Sequence, residues 1–510
     1  MRKKNTLINV VCSLAVLATN MFINFYLSPY IIENVGVAAN GFVTLANNFV
    51  TYANLTVVAL NAMAARFITI ECTKGNYEKA NIYYNSVFWG NLIIVAVLFL
   101  PSAFFIVRIG HILDVPADIL RDVQILFTFV FLNFYLSTGF PNWDCGTYVT
   151  NRLDRYYIPQ MFASITRCVL LLVLFGVFFP HVWYVGFAAT VMTIMQLAAN
   201  GYNTYKLTPY LRVRLRKGHK IYSAQAVREL VGSGIWSTFS NLGNLLLSGL
   251  DILICNIALG ATEMGVLAVS KILYNLMGQL ASALKQAFAA EFTIDYAKGD
   301  KEILLQHLQS GIKIVTVIMT VPISGIIVLA DKFYELWVPS QDAHLLHILT
   351  ILSLLSYLFT CPVNVLFNVF STVNKVKPHA IAVLISGVIS VVLTLLLAQR
   401  SEYALYAIAG VSSVINLIRN ITFSTIAPAH YLGYKWYQFY PALFYAIICN
   451  GIIIALGTGV RHFINIHSWT TLFICAAVIA GAGFAVNCFV VLNKSDRERM
   501  KSMICNKIHI

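Results

Sequence analysis

Fourteen apolar runs, each 18 to 29 residues long, fill almost the whole of this chain. A run of about 20 apolar residues crosses the roughly 30 Å hydrocarbon core of a membrane as a helix, which satisfies its backbone polar groups internally. Hydrophobic residues make up 59% of the sequence and charged residues 11%, whereas soluble domains carry about 25% charged residues. The sequence therefore predicts an all-α polytopic membrane protein with about 14 transmembrane helices. The predicted spans 1 to 14 cover residues 6–32, 41–65, 83–107, 123–140, 159–180, 182–205, 230–258, 265–290, 305–330, 346–371, 380–398, 404–427, 441–460 and 470–492.

The segment Gly36–Glu78 recurs without a gap 224 residues later as Gly260–Glu302, with 10 of 43 positions identical. The agreement is strongest in polar turns, where Lys74-Gly75 reappears as Lys298-Gly299. Matching polar residues in turns do not follow from an apolar composition, so the recurrence indicates a duplicated unit. The offset covers six predicted spans, an even number. The two copies are therefore expected to cross the membrane in the same direction, as in parallel-repeat transporters.

The repeat divides the chain into two predicted six-helix lobes. Residues 1–205 form the N-terminal lobe and residues 229–433 the C-terminal lobe, joined by a basic cytoplasmic linker at 206–228. Residues 434–510 hold spans 13 and 14, a hairpin outside the duplication, and a charged tail. With the N-terminus in the cytoplasm, 25 of the 35 Lys and Arg residues fall in inner loops and tails and 5 in outer loops. This asymmetry predicts that both termini are cytoplasmic.

The placement of basic residues, cysteines and histidines in the sequence disfavours several functional classes. The basic cluster at 212–220 lies in a short loop between spans and is explained by topology, so no nucleic-acid partner is predicted. The ten cysteines are scattered singly, and His344 and His347 lack an acidic or cysteine partner at metal-ligand spacing. We therefore predict neither a metal nor another cofactor. The sequence has no paired carboxylates, nucleophile elbow or glycine-rich phosphate loop, and its outer loops are short, so an enzyme such as a membrane-integral glycan polymerase is the weaker interpretation.

Four spans related by the repeat carry polar or small side chains along one face. At about 100° per residue, steps of three and four keep side chains on one side of a helix. Two interpretations stay open, because Ser and Asn in membranes pack helices together as well as line aqueous cavities. Recurrence of the pattern at a fixed offset favours a cavity. The cavity-lining candidates are Asn20 and Asn24 in span 1, Asn47, Thr51, Asn54 and Asn61 in span 2, Ser237 and Asn244 in span 7, and Asn275 and Ser282 in span 8.

Cations outnumber anions inside the predicted spans. The cations are Arg167, Lys271, Lys285, Lys313 and Arg419, and the one anion is Asp251. This balance favours a negatively charged substrate, because Lys and Arg are natural partners of phosphate. Lysines near the membrane surface have the alternative of extending to the lipid headgroups. Asp251 and Lys271 lie at similar depths in spans 7 and 8, so we expect them to pair, either as a structural ion pair or as part of an ion-coupling switch.

Short motifs in the first half resemble those of a known transporter family. They are Phe22–Ser28, Arg66–Thr69 followed by Lys74-Gly75-Asn76, and Asn151–Asp154 after span 4. In these motifs, and over most of spans 1 to 12, the chain resembles bacterial polysaccharide flippases of the multidrug/oligosaccharidyl-lipid/polysaccharide (MOP) exporter superfamily. The resemblance implies a MATE-like, V-shaped pair of six-helix lobes that works by alternating access. It also implies that Arg66, Lys271 and Lys285 contact the substrate in a central cavity.

The substrate that the resemblance implies is an undecaprenyl-pyrophosphate-linked oligosaccharide. It would move from the cytoplasmic to the outer leaflet of the bacterial inner membrane for O-antigen, capsule or exopolysaccharide synthesis. The implied partners are this lipid-linked oligosaccharide, membrane lipid and a polysaccharide polymerase machinery, and the expected state is a monomer. The sequence contains no nucleotide-binding motif, so we expect an ion gradient or consumption of the product to supply the energy. Spans 13 and 14 depart from a twelve-helix pattern and resemble the added pair of the peptidoglycan lipid II flippase. The alternative function is an ion-coupled multidrug exporter of the same superfamily.

Overall fold

The structure is a computed structural model that describes residues 2–140, 145–150, 152, 154–213, 223–299, 301–400, 403–492 and 497–498. Over these residues the chain is almost entirely helical, and none of them forms a strand. The prediction of an all-α fold is confirmed.

The first half begins with a long helix and contains both long helices and short ones of 4 to 10 residues. Its helices are α1 (Arg2–Asn34), α2 (Val37–Asn61), α3 (Ala64–Thr73), α4 (Tyr77–Val107), α5 (Ile109–Ile112), α6 (Leu120–Gly139), α7 (Cys145–Val149), α8 (Asp154–Val177) and α9 (Tyr184–Leu207). The start of α4 is set by Asn76, whose side-chain oxygen accepts a hydrogen bond from the Lys79 backbone N–H at 3.3 Å. Such a cap satisfies one of the N–H groups left free at a helix start.

The second half contains longer helices and two π-helical turns. Its helices are α10 (Ala224–Asn244), α11 (Asp251–Leu259), α12 (Ala261–Lys298), α13 (Lys301–Trp337), α14 (Ala343–Thr360), α15 (Val363–Thr372), α16 (Val376–Arg400), α17 (Ala404–Arg419), α18 (Thr425–Leu432), α19 (Tyr440–Phe463) and α20 (Trp469–Val490). The π-helical turns are Leu245–Gly249, between α10 and α11, and Asn420–Ser424, between α17 and α18.

Each predicted span overlaps one or more helices of the structure. Among the described residues ten helices are long and apolar enough to cross a membrane, and an eleventh span is obtained if α10 and α11, which meet at a 41° bend, are counted as one. Three further predicted spans coincide with α1, α6 and α9. The chain is a multi-pass membrane protein, and the count of fourteen stays a prediction for those three helices.

Paired glycines show the repeat in the backbone. Gly75 after α3 and Gly299 after α12 have φ angles of 78° and 77°, and Gly36 and Gly260 have φ angles of 115° and 108°. Glycine adopts positive φ without the steric penalty that a Cβ brings, and it commonly ends helices in this way. The Lys-Gly dipeptide that recurs in the sequence is therefore the same helix-ending turn in both halves.

Contacts divide the described chain into two compact units. The N-terminal unit runs to Leu242 and includes Gly260–Gly265, and the C-terminal unit comprises Gly243–Leu259 and the chain from Val266 onward. In the N-terminal unit α8 packs on α1 and α9, and α6 packs on α2 and α9. In the C-terminal unit α13 is the central helix and contacts α14, α15, α19 and α20. The lobe boundaries drawn from the sequence at 205 and 229 stay a prediction.

The hairpin of α19 and α20 is attached to α13 by buried amide side chains. Asn487 Nδ2 donates to Thr320 Oγ1 at 2.7 Å, and Ser324 Oγ donates to Asn450 Oδ1 at 2.8 Å. Asn450 Nδ2 donates in turn to the Leu358 carbonyl at 2.6 Å. Hydrogen bonds of this kind between helices fix their register where water does not compete. The hairpin is thus an integral part of the C-terminal unit.

Candidate functional site

The candidate site lies in the C-terminal unit, where two helices are interrupted by π-helical turns. The turn Leu245–Gly249 directly precedes the α11 segment that begins at Asp251, and the turn Asn420–Ser424 directly follows Arg419. A π-helical turn breaks the regular hydrogen-bond ladder of an α-helix and is often found at functional positions. In this chain each turn adjoins an ionisable residue that the sequence analysis selected. The turn at 245–249 packs on α16 and α17.

Two glycines allow α10 to approach α16 closely. A Cβ atom at Gly243 would lie 2.6 Å from the Leu384 backbone nitrogen, and one at Gly387 would lie 2.5 Å from the Gly243 carbonyl oxygen. Small residues at such a crossing let helix backbones come together in a membrane. Ser390 Oγ donates to the carbonyl of Leu247 in the π-helical turn at 3.0 Å. This contact fixes the helix segment that leads to Asp251.

Asp251 and Lys271 form an ion pair inside the C-terminal unit. The Lys271 ammonium contacts the Asp251 carboxylate, and the two side chains are only 7% and 3% exposed. Ser412 Oγ of α17 donates to the same Asp251 oxygen at 3.1 Å, and the Lys271 ammonium lies 5.9 Å from the centre of the Tyr274 ring. The pair that the sequence predicted is thus present. The prediction that Lys271 contacts the substrate stays a prediction, and any such contact would have to compete with Asp251.

Arg419 is the contrasting case of a buried cation with an incomplete set of acceptors. Arg419 is 8% exposed. Its Nη2 donates to Asn416 Oδ1 at 2.6 Å. Its Nε and Nη1 have no hydrogen-bond partner in the described part of the chain. Tyr274 and Tyr357 lie within electrostatic range, and their rings are 5.7 Å apart. An arginine here has two donor nitrogens to offer to a ligand.

His379 lies within electrostatic range of both Arg419 and Lys285. The His379 ring stacks on Phe370 at 4.5 Å, and its Nδ1 has no partner among the described residues. Asn368 of α15 donates to the Lys285 carbonyl at 2.8 Å and so holds α12 in place at that point. We call Lys285, His379 and Arg419 the basic cluster. The sequence analysis missed His379, because a single histidine in an apolar helix gives no signal until its neighbours are known.

The other predicted cations are not part of this cluster. Arg66 is exposed on α3 and Arg167 is partly exposed on α8, both in the N-terminal unit, and the Arg167 Nε has no partner among the described residues. Lys313 is partly exposed on α13 and has an interaction partner. Of the six cations predicted to bind substrate, Lys285 and Arg419 share His379 as an electrostatic neighbour.

The predicted cavity-lining residues are mostly accessible. At Asn61 the helix-packing interpretation is supported, because its Oδ1 accepts a hydrogen bond from Asn91 Nδ2 at 2.9 Å. The side chain of Asn24 lies outside the described residues. The exposed members are Asn47, Thr51, Asn244, Asn275 and Ser282, and the partly exposed ones are Asn20, Asn54, Asn61 and Ser237.

The motif after span 4 forms a local ion pair at the start of a helix. Arg152 donates from Nε and Nη2 to the two carboxylate oxygens of Asp154, each at 2.9 Å. These hydrogen bonds raise the pKa of the partly exposed Arg152 guanidinium above its ordinary value. Asp154 is the first residue of α8, where a negative charge also complements the helix dipole. The role visible in the structure is therefore to start α8.

The long apolar helices and the two repeat-related halves define a multi-pass helical membrane protein. Its fold is the one shared by transporters and flippases of the MOP superfamily. The structure is similar to that of the lipid II flippase MurJ in an inward closed conformation, with a TM-score of 0.66, 12% identity, and coverage of 94% of this chain and 98% of that chain. It is also similar to the inward-facing conformation of a multidrug resistance MATE family transporter of the MOP superfamily, with a TM-score of 0.54, 13% identity, and coverage of 87% and 98%.

A relative in sequence is the uncharacterized membrane protein EpsK of Bacillus subtilis (strain 168). The two chains are 27% identical over 500 residues, which is 96% of each. No family model matches the chain. The MOP-superfamily fold that the sequence motifs predicted is confirmed.

Proposed function

We propose that this protein is a flippase for a lipid-linked oligosaccharide with an anionic phosphate or pyrophosphate headgroup. The observation that carries the proposal is Arg419, which is buried beside His379 and leaves Nε and Nη1 without an acceptor among the described residues. Removing an unpaired cation from water costs several kcal/mol, and proteins keep such groups mainly where a ligand or a pathway needs them. The oxygens of a phosphate group would supply acceptors for these nitrogens.

The chemistry of the basic cluster favours phosphate over other anions. An arginine guanidinium binds phosphate through parallel hydrogen bonds, and an ammonium such as that of Lys285 adds a point charge. His379 would add a further donor in its protonated form. The predicted contacts of Arg66, Arg167 and Lys313 with the same substrate remain part of the proposal, and a contact with Lys271 would have to compete with Asp251.

The alternative of a multidrug exporter is less well supported. An exporter of organic cations needs a carboxylate that is available to the drug. Asp251 is the one carboxylate in the predicted spans, and its oxygen is already bound by Lys271 and Ser412. The MATE transporter is also the more distant of the two structural relatives in TM-score, at 0.54 against 0.66 for MurJ.

We further propose that Asp251 takes part in ion coupling. Its carboxylate sits where α10 bends into α11, and its partners come from α12 and α17. Loss or gain of a proton or cation at this carboxylate would change the contacts among three helices at once. The protein would act without enzymatic chemistry in a bacterial cytoplasmic membrane, with both termini inside and a polysaccharide polymerase using its product.

The test is a deletion strain complemented with variants. Without the protein, the lipid-linked oligosaccharide should accumulate in the cytoplasmic leaflet, and wild type and Arg461→Ala should relieve the accumulation, because Arg461 is paired with Asp331 away from the basic cluster. Arg419→Ala should fail to relieve it. Normal glycan with increased drug sensitivity would instead identify an exporter, and short surface glycans without lipid-linked accumulation would identify a polymerase.

A further inference from the structure

Three potential metal ligands meet where α12 ends and α13 begins. Glu291 and Asp295 are one helical turn apart near the end of α12, and His307 follows in the second turn of α13. His307 Nδ1 lies 2.6 Å from Asp295 Oδ2 and 3.3 Å from Glu291 Oε1. One ligand atom from each residue lies within 4.8 Å of the other two, and this is the one such group in the described part of the chain.

The repeat shows that the fold does not require these side chains. The equivalent residues 224 positions earlier are Phe67, Glu71 and Tyr83, and the rings of Phe67 and Tyr83 lie 5.4 Å apart. Glu71 is paired there with Lys79 at 3.2 Å. The same helix turn therefore holds an aromatic pair and a Glu–Lys ion pair in the first half of the chain.

Three replacements distinguish the second half. The aromatic pair has become Glu291 and His307, and the position equivalent to Lys79 is Ile303, so Asp295 has exchanged a lysine for an imidazole. A lysine competes with a metal for a carboxylate, whereas a neutral imidazole is itself a ligand. The replacements thus remove a competing cation and add two ligands at one point.

We propose that Glu291, Asp295 and His307 bind a divalent transition metal, with Zn²⁺ as the best match. Imidazole nitrogen and carboxylate oxygen bind Zn²⁺ at about 2.0–2.2 Å, which places tetrahedral ligand atoms roughly 3.3 Å apart. The His307–Glu291 distance already has this value, and the His307–Asp295 distance of 2.6 Å is a hydrogen bond that the metal would replace. Three protein ligands leave the fourth position to water.

Two of the three proposed ligands are partly exposed, and the third is buried. The side chains of Glu291 and His307 are 31% and 32% exposed, whereas that of Asp295 is 7% exposed. An ion can therefore enter from solvent and meet a carboxylate that is already held in place. Once bound, the ion would join the end of α12 to the start of α13 across the Gly299 turn. It would thereby make the C-terminal end of α12, the helix that also carries Lys285, more rigid.

The experiment is a measurement of bound Zn²⁺ on the purified full-length protein in detergent. The protein is stripped with a chelator, dialysed against micromolar Zn²⁺, and analysed for metal by mass spectrometry. Wild type should retain about one Zn²⁺ per chain at a site of this kind. His307→Tyr and Glu291→Phe, which install the residues found in the first half, should bind roughly tenfold more weakly or not at all. Mg²⁺, which prefers six oxygen ligands, should not compete.

Two further variants control for nonspecific effects of the substitutions and for loss of folding. Glu71→Gln alters the equivalent position of the first half and should retain the wild-type Zn²⁺ content. Glu291→Gln preserves size and should lose the metal even if an aromatic replacement fails to fold. Absence of Zn²⁺ from wild type, or equal Zn²⁺ in wild type and the folded Glu291→Gln variant, would overturn the proposal. The readout is metal content and does not depend on the proposed flippase function.

Discussion

The Asp251 carboxylate and the Lys271 ammonium are bound to each other, with side chains 3% and 7% exposed, at the bend between α10 and α11. Either charge alone would be strongly unfavourable inside a membrane protein, and the pairing offsets much of that cost. A substrate would therefore have to compete with Asp251 for the Lys271 ammonium. The other cations in the predicted spans of the C-terminal lobe are Lys285, Lys313 and Arg419.

Breaking the ion pair should destabilise the protein, whereas removing both charges should not. Asp251→Asn leaves Lys271 buried without a counter-charge, and we expect a loss of about 3–5 kcal/mol in the free energy of unfolding. Asp251→Asn combined with Lys271→Met should recover most of that loss. Thermal unfolding in detergent measures both.

The same double variant tests ion coupling. If Asp251 takes part in coupling, the folded double variant should still fail to restore surface glycan in the deletion strain. Restoration of normal glycan by this variant would assign the pair a purely structural role.

Arg419→Ala should separate function from stability. The side chain is buried with two nitrogens that lack acceptors among the described residues, so its removal should leave the free energy of unfolding unchanged or raised. Transport should fall by roughly 10- to 100-fold, as expected for the loss of about 1.5–3 kcal/mol of hydrogen bonding to a charged ligand. Arg419→Lys should retain partial activity, because it keeps the charge and loses the two-pronged geometry.

Arg461→Ala is the matched control for Arg419→Ala. It removes an arginine that is paired with Asp331, and we expect a stability loss of about 1 kcal/mol or less at this partly exposed site with normal transport. Equal transport defects in the two variants would show that the loss of Arg419 has no specific effect.

The close approach of α10 and α16 should make Gly243 intolerant of any side chain. In Gly243→Ala the new Cβ would lie 2.6 Å from the backbone of α16, so the helices must separate, and we expect a loss of about 1–3 kcal/mol in stability. Gly249→Ala is the control, because its Cβ would first meet the Leu245 side chain at an ordinary 3.4 Å. Similar unfolding temperatures for the two variants would contradict this packing.

The C-terminal hairpin should depend on its buried amides. Asn487→Leu removes the hydrogen bond to Thr320 at 2.7 Å and introduces a side chain of similar size. A buried hydrogen bond of this kind contributes about 0.5–1.5 kcal/mol, so the unfolding temperature should fall by a small but measurable amount. An unchanged unfolding temperature would mean that α20 is held by apolar packing alone.

The sequence predicted those features of the fold that depend on local composition. Span length, the Lys-Gly turns and the Asp251–Lys271 pair follow from hydrophobicity, backbone geometry and depth in the membrane. The π-helical turns beside Asp251 and Arg419 did not follow, because they depend on how α10 packs against α16 and on contacts between helices distant in sequence. His379 was missed for the same reason.

The metal-ligand cluster shows a second limit of sequence reasoning. His344 and His347 attracted attention because they are close in sequence, yet His347 Nε2 contacts the Ile327 carbonyl at 2.8 Å. Glu291, Asp295 and His307 are spread over two helices and meet only because the Gly299 turn folds α13 back along α12. The sequence signal for this cluster is that Glu291 and His307 stand where the first half has Phe67 and Tyr83.

The most direct test of the central claim is transport by the purified protein in proteoliposomes. A lipid-linked pyrophosphate oligosaccharide is placed in both leaflets, and a membrane-impermeant enzyme cleaves the outer fraction. With wild-type protein the inner fraction should become accessible, and with Arg419→Ala it should do so roughly 10- to 100-fold more slowly. Equal rates for wild type and Arg419→Ala, or a wild-type rate no higher than that of protein-free liposomes, would contradict a flippase that binds its headgroup through the basic cluster.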